Sequence, residues 1–170
     1  KLTNELIELE KLNNSKLNLT IFSAETLVLE SLGKLYLEDE SKVDIEIFED
    51  FKIEADLYYL SIALKNLIDN AIKFSNPSKN IKIKILKVDE IFKKYVSISI
   101  IDEGIGINEE DIHRITERFF RAENTRKLKI EGTGLGLAIA KHIINQHRGE
   151  LKIVSKIEVG SEFIVRLPKA

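Results

Sequence analysis

Two asparagines one helical turn apart, followed by a lysine, are the first residues in this chain of 170 whose types and spacing suggest chemistry. At about 100° per residue, Asn66, Asn70 and Lys73 fall within roughly a 60° stripe of a helix, while Leu60, Leu64, Leu67, Ile68 and Ala71 take the opposite side. Asparagine is a poor helix former beside glutamate, lysine or glutamine, so two of them on one face need a reason. An amide oxygen is a hard neutral ligand suited to Mg²⁺, and a lysine ammonium is a point charge for phosphate. A solvated polar face would look the same, and the helix alone does not choose between the two.

A second constellation is Ile101-Asp-Glu-Gly-Ile-Gly-Ile107, directly after an apolar strand pattern. A carboxylate at the end of such a strand can accept a hydrogen bond from the amine of adenine. The two glycines let the backbone pass close to a planar base. The third is Gly132-Thr-Gly-Leu-Gly-Leu-Ala138, which opens an apolar helix where free backbone amides form an anion site. Only eight glycines occur in the chain, and five of them lie in these two clusters. The residues before Gly132 do not read as a strand and the spacing is not Gly-x-Gly-x-x-Gly, which excludes a dinucleotide fingerprint. No Walker-type loop and no Ser/Thr-kinase signature is present. Between the clusters lie Arg114, Arg118, Phe119, Phe120, Arg121, Arg126, Lys127 and Lys129, a basic aperiodic stretch that suits a mobile lid over a triphosphate. A surface loop with scattered charge would read alike.

The other candidates are bland. His113 sits on a short helix, and His142 and His147 are five positions apart, about 140° around a helix, so no metal or phosphoacceptor role is expected of them. There is no cysteine, which excludes disulfides, thiolate metal sites and cysteine nucleophiles. A net charge of −2 gives no global field for nucleic acid or a membrane surface. No apolar run has the length of a membrane span and no signal peptide is visible. The chain begins at Lys1 and contains no methionine, which reads as a piece of something longer.

Elements that would carry these residues follow from periodicity. Leu2 to Leu12 has helical spacing. Leu17 to Phe22 alternates like a strand, and Ser23 caps a helix through Leu35. Val43 to Ile47 and Phe51 to Ile53 read as a strand pair around an acidic turn. Asp56 caps a long helix ending near Phe74, before the stop Asn76-Pro77. Ile81 to Val88 alternates as a half-buried strand, and Tyr95 to Ile101 reads as a central one. Asn108 to Ile115 is a short helix, Gly134 to Gln146 an apolar one, and Leu151–Ser155 with Glu162–Leu167 a closing hairpin. The expectation is an α+β fold: a two-layer α/β sandwich with a mixed five-stranded sheet and three main helices on one face.

Four motifs in this order resemble the ATP-binding catalytic domain of sensor histidine kinases, whose α/β sandwich is shared with type II topoisomerase, heat-shock chaperone and mismatch-repair ATPases. The resemblance covers about residues 17 to 168. Asn66–Phe74 is similar to the N box, Asp102–Gly106 to the G1 box, Arg118–Arg121 to the F box and Gly132–Gly136 to the G2 box, with Gly160-Ser-Glu-Phe163 similar to the last strand. The resemblance implies ATP and Mg²⁺ as cofactors. Asn70 would be the principal metal ligand with Asn66 beside it, and Asn66, Lys73 and Arg121 would serve phosphoryl transfer. Asp102 would read adenine with Ser161. Phe74, Gly104, Gly106, Ile107 and Phe120 would line the base and sugar, and Gly132, Thr133, Gly134, Leu135, Gly136 and Leu137 would wrap the phosphates. Thr116 departs from the phenylalanine usual there.

Residues 1–14 would be the end of a dimerisation and phosphoacceptor helix, and 15–170 the catalytic domain. The implied partners are that helical domain, off this chain, and a response regulator, with no nucleic acid. The whole protein would be a homodimeric inner-membrane sensor with this domain in the cytoplasm. Asn66 stands where the related ATPases place a glutamate that activates water, so transfer to a histidine is favoured over hydrolysis. A serine kinase of the anti-sigma type and a non-catalytic nucleotide-binding module remain the alternatives.

Overall fold

The computed structural model describes residues 1–35, 42–90 and 93–170. In chain order the elements are α1 (Leu2–Asn14), β1 (Thr20–Ser23), α2 (Ala24–Gly33), β2 (Val43–Ile47), β3 (Lys52–Ala55), α3 (Leu57–Phe74), β4 (Ile81–Glu90), β5 (Lys93–Asp102), α4 (Glu109–Ile112), α5 (Glu123–Lys127), α6 (Gly136–Gln146), β6 (Glu150–Lys156) and β7 (Gly160–Pro168). Five strands form one mixed sheet in the order β2-β4-β5-β7-β6, with β2 parallel to β4 and the other pairs antiparallel. The helices α2, α3 and α6 pack side by side, and α3 and α6 rest against the sheet. The chain is an α+β two-layer sandwich.

Period-2 alternation decides which face of the sheet meets the helices. Ile81, Ile83 and Ile85 of β4, Val96, Ile98 and Ile100 of β5, and Phe163, Val165 and Leu167 of β7 are buried. The alternate residues Lys82, Lys84, Arg166 and Lys152 lie on the opposite face, where Lys84 pairs with the small Ser99 and Arg166 with Ser97. From the helix layer, Leu60, Leu64, Leu67 and Ile68 of α3 are wholly buried, each contributing on the order of 1.5–3 kcal/mol of transfer free energy.

The start of α3 is fixed by Asp56. Its carboxylate accepts from the Tyr59 amide at 3.1 Å and from the Asn18 amide at 2.8 Å, and its own amide donates to His147 Nε2 at 3.1 Å. Because Nε2 accepts, the ring proton sits on Nδ1, 2.7 Å from the Ile143 carbonyl. Burial holds the His147 pKa below the usual histidine value. This histidine is a neutral clamp between the end of α6 and the start of α3.

Three local expectations change. Val43–Ile47 and the segment after Phe51 are strands, but they do not pair with each other: β2 joins the large sheet at its edge, and β3 pairs with β1 in a separate two-stranded sheet. An acidic link between two apolar runs looks locally like a hairpin. Here Val43, Ile45 and Ile47 instead align with Ile81, Ile83 and Ile85, and the sheet edge wins. The basic stretch after Phe119 contains a short helix, α5. The capped helix from Ser23 ends at Gly33.

Candidate functional site

The pleat of β5 delivers the acid. Val96, Ile98, Ile100 and Asp102 share the helix-facing side, so where the strand ends a carboxylate replaces the apolar series and enters the space below α3. Asp102 is 5% exposed. Burial pushes its pKa up to about 6, although hydrogen bonds from the Gly104 and Ser161 amides act in the other direction. The Gly104 amide donates to Asp102 Oδ1 at 3.0 Å. Ser161 lies directly across the β5–β7 ladder from Asp102, and Phe163 follows on the same face.

The turn after Asp102 is pressed against the end of α3. Ile105 N–H donates to the Phe74 carbonyl at 3.1 Å, and Asn76 N–H to the Glu103 carbonyl at 3.2 Å. A β-carbon on Gly104 would stand 1.9 Å from the Phe74 oxygen. Glycine is required here by the backbone approach rather than by its own φ.

The other wall comes from α3 and from the start of α6. Asn66, Asn70, Lys73 and Phe74 lie on the cleft side of α3, opposite its buried leucines. Gly136 at the start of α6 lies over Asn66, so that a β-carbon added there would stand 3.9 Å from the asparagine side chain. The Lys73 ammonium is 3.1 Å from Asp69. Neither the Asn66 nor the Asn70 amide group hydrogen-bonds another described residue. Both residues line the cleft with uncommitted amides, and an amide oxygen is a ligand that fits a hard divalent cation. Among the described residues there is no cluster of three or more His, Cys, Asp or Glu that could hold a metal.

The lid is tied down at several points. Phe119, with φ of 65°, donates its amide to the Gly134 carbonyl at 3.0 Å. Arg121 donates from its guanidinium to the Ile130 carbonyl. Asn124 Nδ2 donates to the Gly106 carbonyl at 3.0 Å, joining α5 to the glycine turn. The Arg114 guanidinium stacks 4.4 Å from the centre of the Phe120 ring.

These pieces enclose an open cleft with about 1030 Å³ of empty space, counting the space at its mouth. Asn66, Asn70, Lys73, Phe74, Asp102, Gly106, Ile107, Phe120, Arg121, Gly132, Thr133, Gly134, Gly136, Leu137 and Ser161 all line it. Two expected residues do not. Leu135 is wholly buried and belongs to the core, and Gly104 lies behind the wall, where it lets the turn close. Sequence reasoning missed Glu5 of α1, whose carboxylate accepts from Thr133 Oγ1 at 2.6 Å, and Asp69, the partner of Lys73. Glu5 and Thr133 are 128 positions apart, and no sequence pattern joins them. Asp69 sits one turn before Lys73, a spacing that could have been read.

The chain is similar to known proteins over most of its length. Residues 55–170 match the family described as histidine kinase-, DNA gyrase B- and HSP90-like ATPase. The sensor-like histidine kinase SenX3 of Mycobacterium tuberculosis is 35% identical over 170 residues, covering 96% of this chain and 40% of that protein. The histidine protein kinase SaeS of Staphylococcus aureus is 42% identical over 125 residues, covering 71% of this chain and 35% of that protein. A solved mycobacterial sensor histidine kinase, MprB, superposes with a TM-score of 0.74 at 25% identity, over 89% of this chain and 98% of the other. The chain thus spans two fifths or less of the length of these curated relatives.

Proposed function

Because the chain belongs to the histidine kinase-, DNA gyrase B- and HSP90-like ATPase family, and within it to the ATP-binding catalytic domains of sensor histidine kinases, we propose that it presents the γ-phosphate of ATP to a histidine on a separate helical domain. The observation that carries the reading is one cleft with a buried carboxylate, Asp102, at one end and two uncommitted amides, Asn66 and Asn70, with Lys73 at the other. Asp102 would accept from the adenine amine. Phe74, Ile107 and Phe120 would flank base and sugar, and the backbone from Gly132 to Gly136 would follow the phosphates.

Asn70 would hold Mg²⁺ with Asn66 beside it. When bound, the metal supplies charge neutralisation on the phosphates. Lys73 orients the phosphates once they draw it from Asp69, and Arg121 stands at the lid edge of the same space. Position 66 carries an amide, which cannot take a proton from water. A neutral imidazole brings its own nucleophilic lone pair, so positioning and electrostatics suffice.

Residues 1–14 would be the end of the helix that carries the acceptor domain, with 15–170 the catalytic unit. The whole protein would act as a homodimer, pass its phosphate to a response regulator and be anchored in the inner membrane with this domain in the cytoplasm. No helix among the described residues is long and apolar enough to cross a membrane.

The test mixes this domain with labelled ATP, Mg²⁺ and a candidate upstream helical domain. The expected outcome is acid-labile, base-stable label on the helical domain. Base-labile, acid-stable label on a serine, or release of free phosphate with no labelled protein, overturns the reading.

A further inference from the structure

Ser155 of β6 lies under the base end of the cleft, and three contacts meet at its hydroxyl. The Ile107 amide donates to Ser155 Oγ at 2.9 Å. Ser155 Oγ lies 3.0 Å from the Gly160 carbonyl and 2.8 Å from Ser161 Oγ. A serine hydroxyl has one hydrogen to give and two lone pairs to receive. A carbonyl cannot donate, so the single Ser155 hydrogen goes to Gly160. The Ser161 contact must then be donated by Ser161, and Ser155 is saturated.

The consequence falls on Ser161, which lines the cleft opposite Asp102. With its hydrogen spent on Ser155, it turns only lone pairs toward a ligand. Asp102 Oδ1 is already engaged by the Gly104 amide, and its other oxygen is an acceptor. The side chains of Asp102 and Ser161 therefore offer acceptors alone to a nucleobase. A 6-amino purine brings an amine with two hydrogens to this edge. A 6-oxo purine turns a carbonyl oxygen toward Ser161, where two sets of lone pairs face each other, and a buried polar group left without its partner is costly.

We propose that Ser155 determines specificity at the base: by consuming the Ser161 hydrogen it leaves only acceptors on the Asp102 and Ser161 side chains, and so disfavours 6-oxo purine nucleotides. Ser155 touches no ligand itself. It acts through Ser161 and through the Ile107 amide, which makes it a positioning residue. The inference rests on the assignment of the Asp102 end to the purine.

The experiment measures binding of ATP and inosine triphosphate by titration calorimetry at pH 8, where Asp102 is ionised, to wild type, S155A, S155T and D102N. In S155A the Ser161 hydrogen is released and can meet a 6-oxo group. The preference for ATP over inosine triphosphate is expected to fall by about three- to ten-fold, the value of one ordinary hydrogen bond. S155T keeps a hydroxyl and is expected to retain the wild-type preference. An unchanged preference in S155A, or an equal loss of both nucleotides in S155A and S155T, overturns the proposal. If D102N binds ATP as wild type does, the purine assignment itself fails, whereas a weakened D102N with an unchanged S155A preference sinks only the role of Ser155. Should S155A fold poorly, S155T against S155C makes the same comparison between a hydroxyl and a weak thiol donor.

Discussion

The two ends of the cleft are built on different principles. The Asp102 end is made by strand termini and a turn clamped to α3, where backbone amides and the hydroxyls of Ser155 and Ser161 are committed within 3.2 Å of a partner. The Asn70 end is made by helix surface and lid. Its amides have no partner among the described residues, and its charged groups have exchangeable partners: Lys73 pairs with Asp69, and Glu5 accepts from the Thr133 hydroxyl. A rigid saturated edge selects by hydrogen-bond pattern, since a mismatched ligand cannot be accommodated. An open edge with exchangeable partners suits a charged group that arrives with its own cation.

On this contrast, Gly104→Ala has the largest effect. A β-carbon 1.9 Å from a backbone oxygen cannot be relieved by a rotamer change. The expected cost exceeds about 3 kcal/mol, with loss of ATP binding, read by thermal melting and titration. A variant that melts and binds like wild type would break the claim of a rigid end.

Asp102→Asn comes next. Removing a charged acceptor should cost about 1.5–3 kcal/mol, roughly 10- to 100-fold in ATP affinity. The pKa of about 6 adds a signature. ATP affinity in wild type should drop as pH falls through about 6, because the protonated carboxyl loses its acceptor, and Asp102→Asn should lose this dependence. Folding stability has the opposite sign. The folded pKa is raised above the ordinary carboxylate value, so the contribution of Asp102 is full below about pH 4 and is lost as pH rises through about 6. Calorimetric and denaturant titrations on both proteins separate the two slopes.

Asn70→Ala, at the open end, is expected to remove the magnesium-dependent part of ATP binding while leaving adenosine binding within about two-fold. Equal ATP binding with and without chelator in the parent protein would refute the metal assignment. The smallest change to folding belongs to Gly132→Ala. Nothing of the protein lies within 4 Å of the added carbon, so the melting temperature should stay at the wild-type value, and a clear drop would mean the glycine turn is tighter than its surroundings indicate. Gly134, with φ of 76° against the Phe119 backbone, marks where that turn does become intolerant.

Much of the fold was legible because its signals are local. The leucines of α3 recur at helical spacing, Asp56 is a ready cap at its start, and β4 alternates Ile with Lys. The pairing of β2 and β3 was not legible: each is a plausible strand, and which partner it takes depends on edges completed by residues far along the chain. In the candidate site, Asn66, Asn70, Lys73, Asp102 and the glycines stood out because each is an unusual choice for the element that carries it. Ser155, Ser161 as its donor and Glu5 carry no such mark, since a serine in an edge strand and a glutamate in a helix are ordinary.

The sequence by itself determined the elements, the faces they bury and the residue types available for nucleotide chemistry, because periodicity, capping and backbone sterics act over a few residues. Tertiary structure alone decided which oxygens are left free, which hydrogens are already spent and which carboxylate is lifted toward neutrality. Those properties belong to contacts between distant segments, and their energies depend on distance and burial that exist only once the sheet and helices have closed around the cleft.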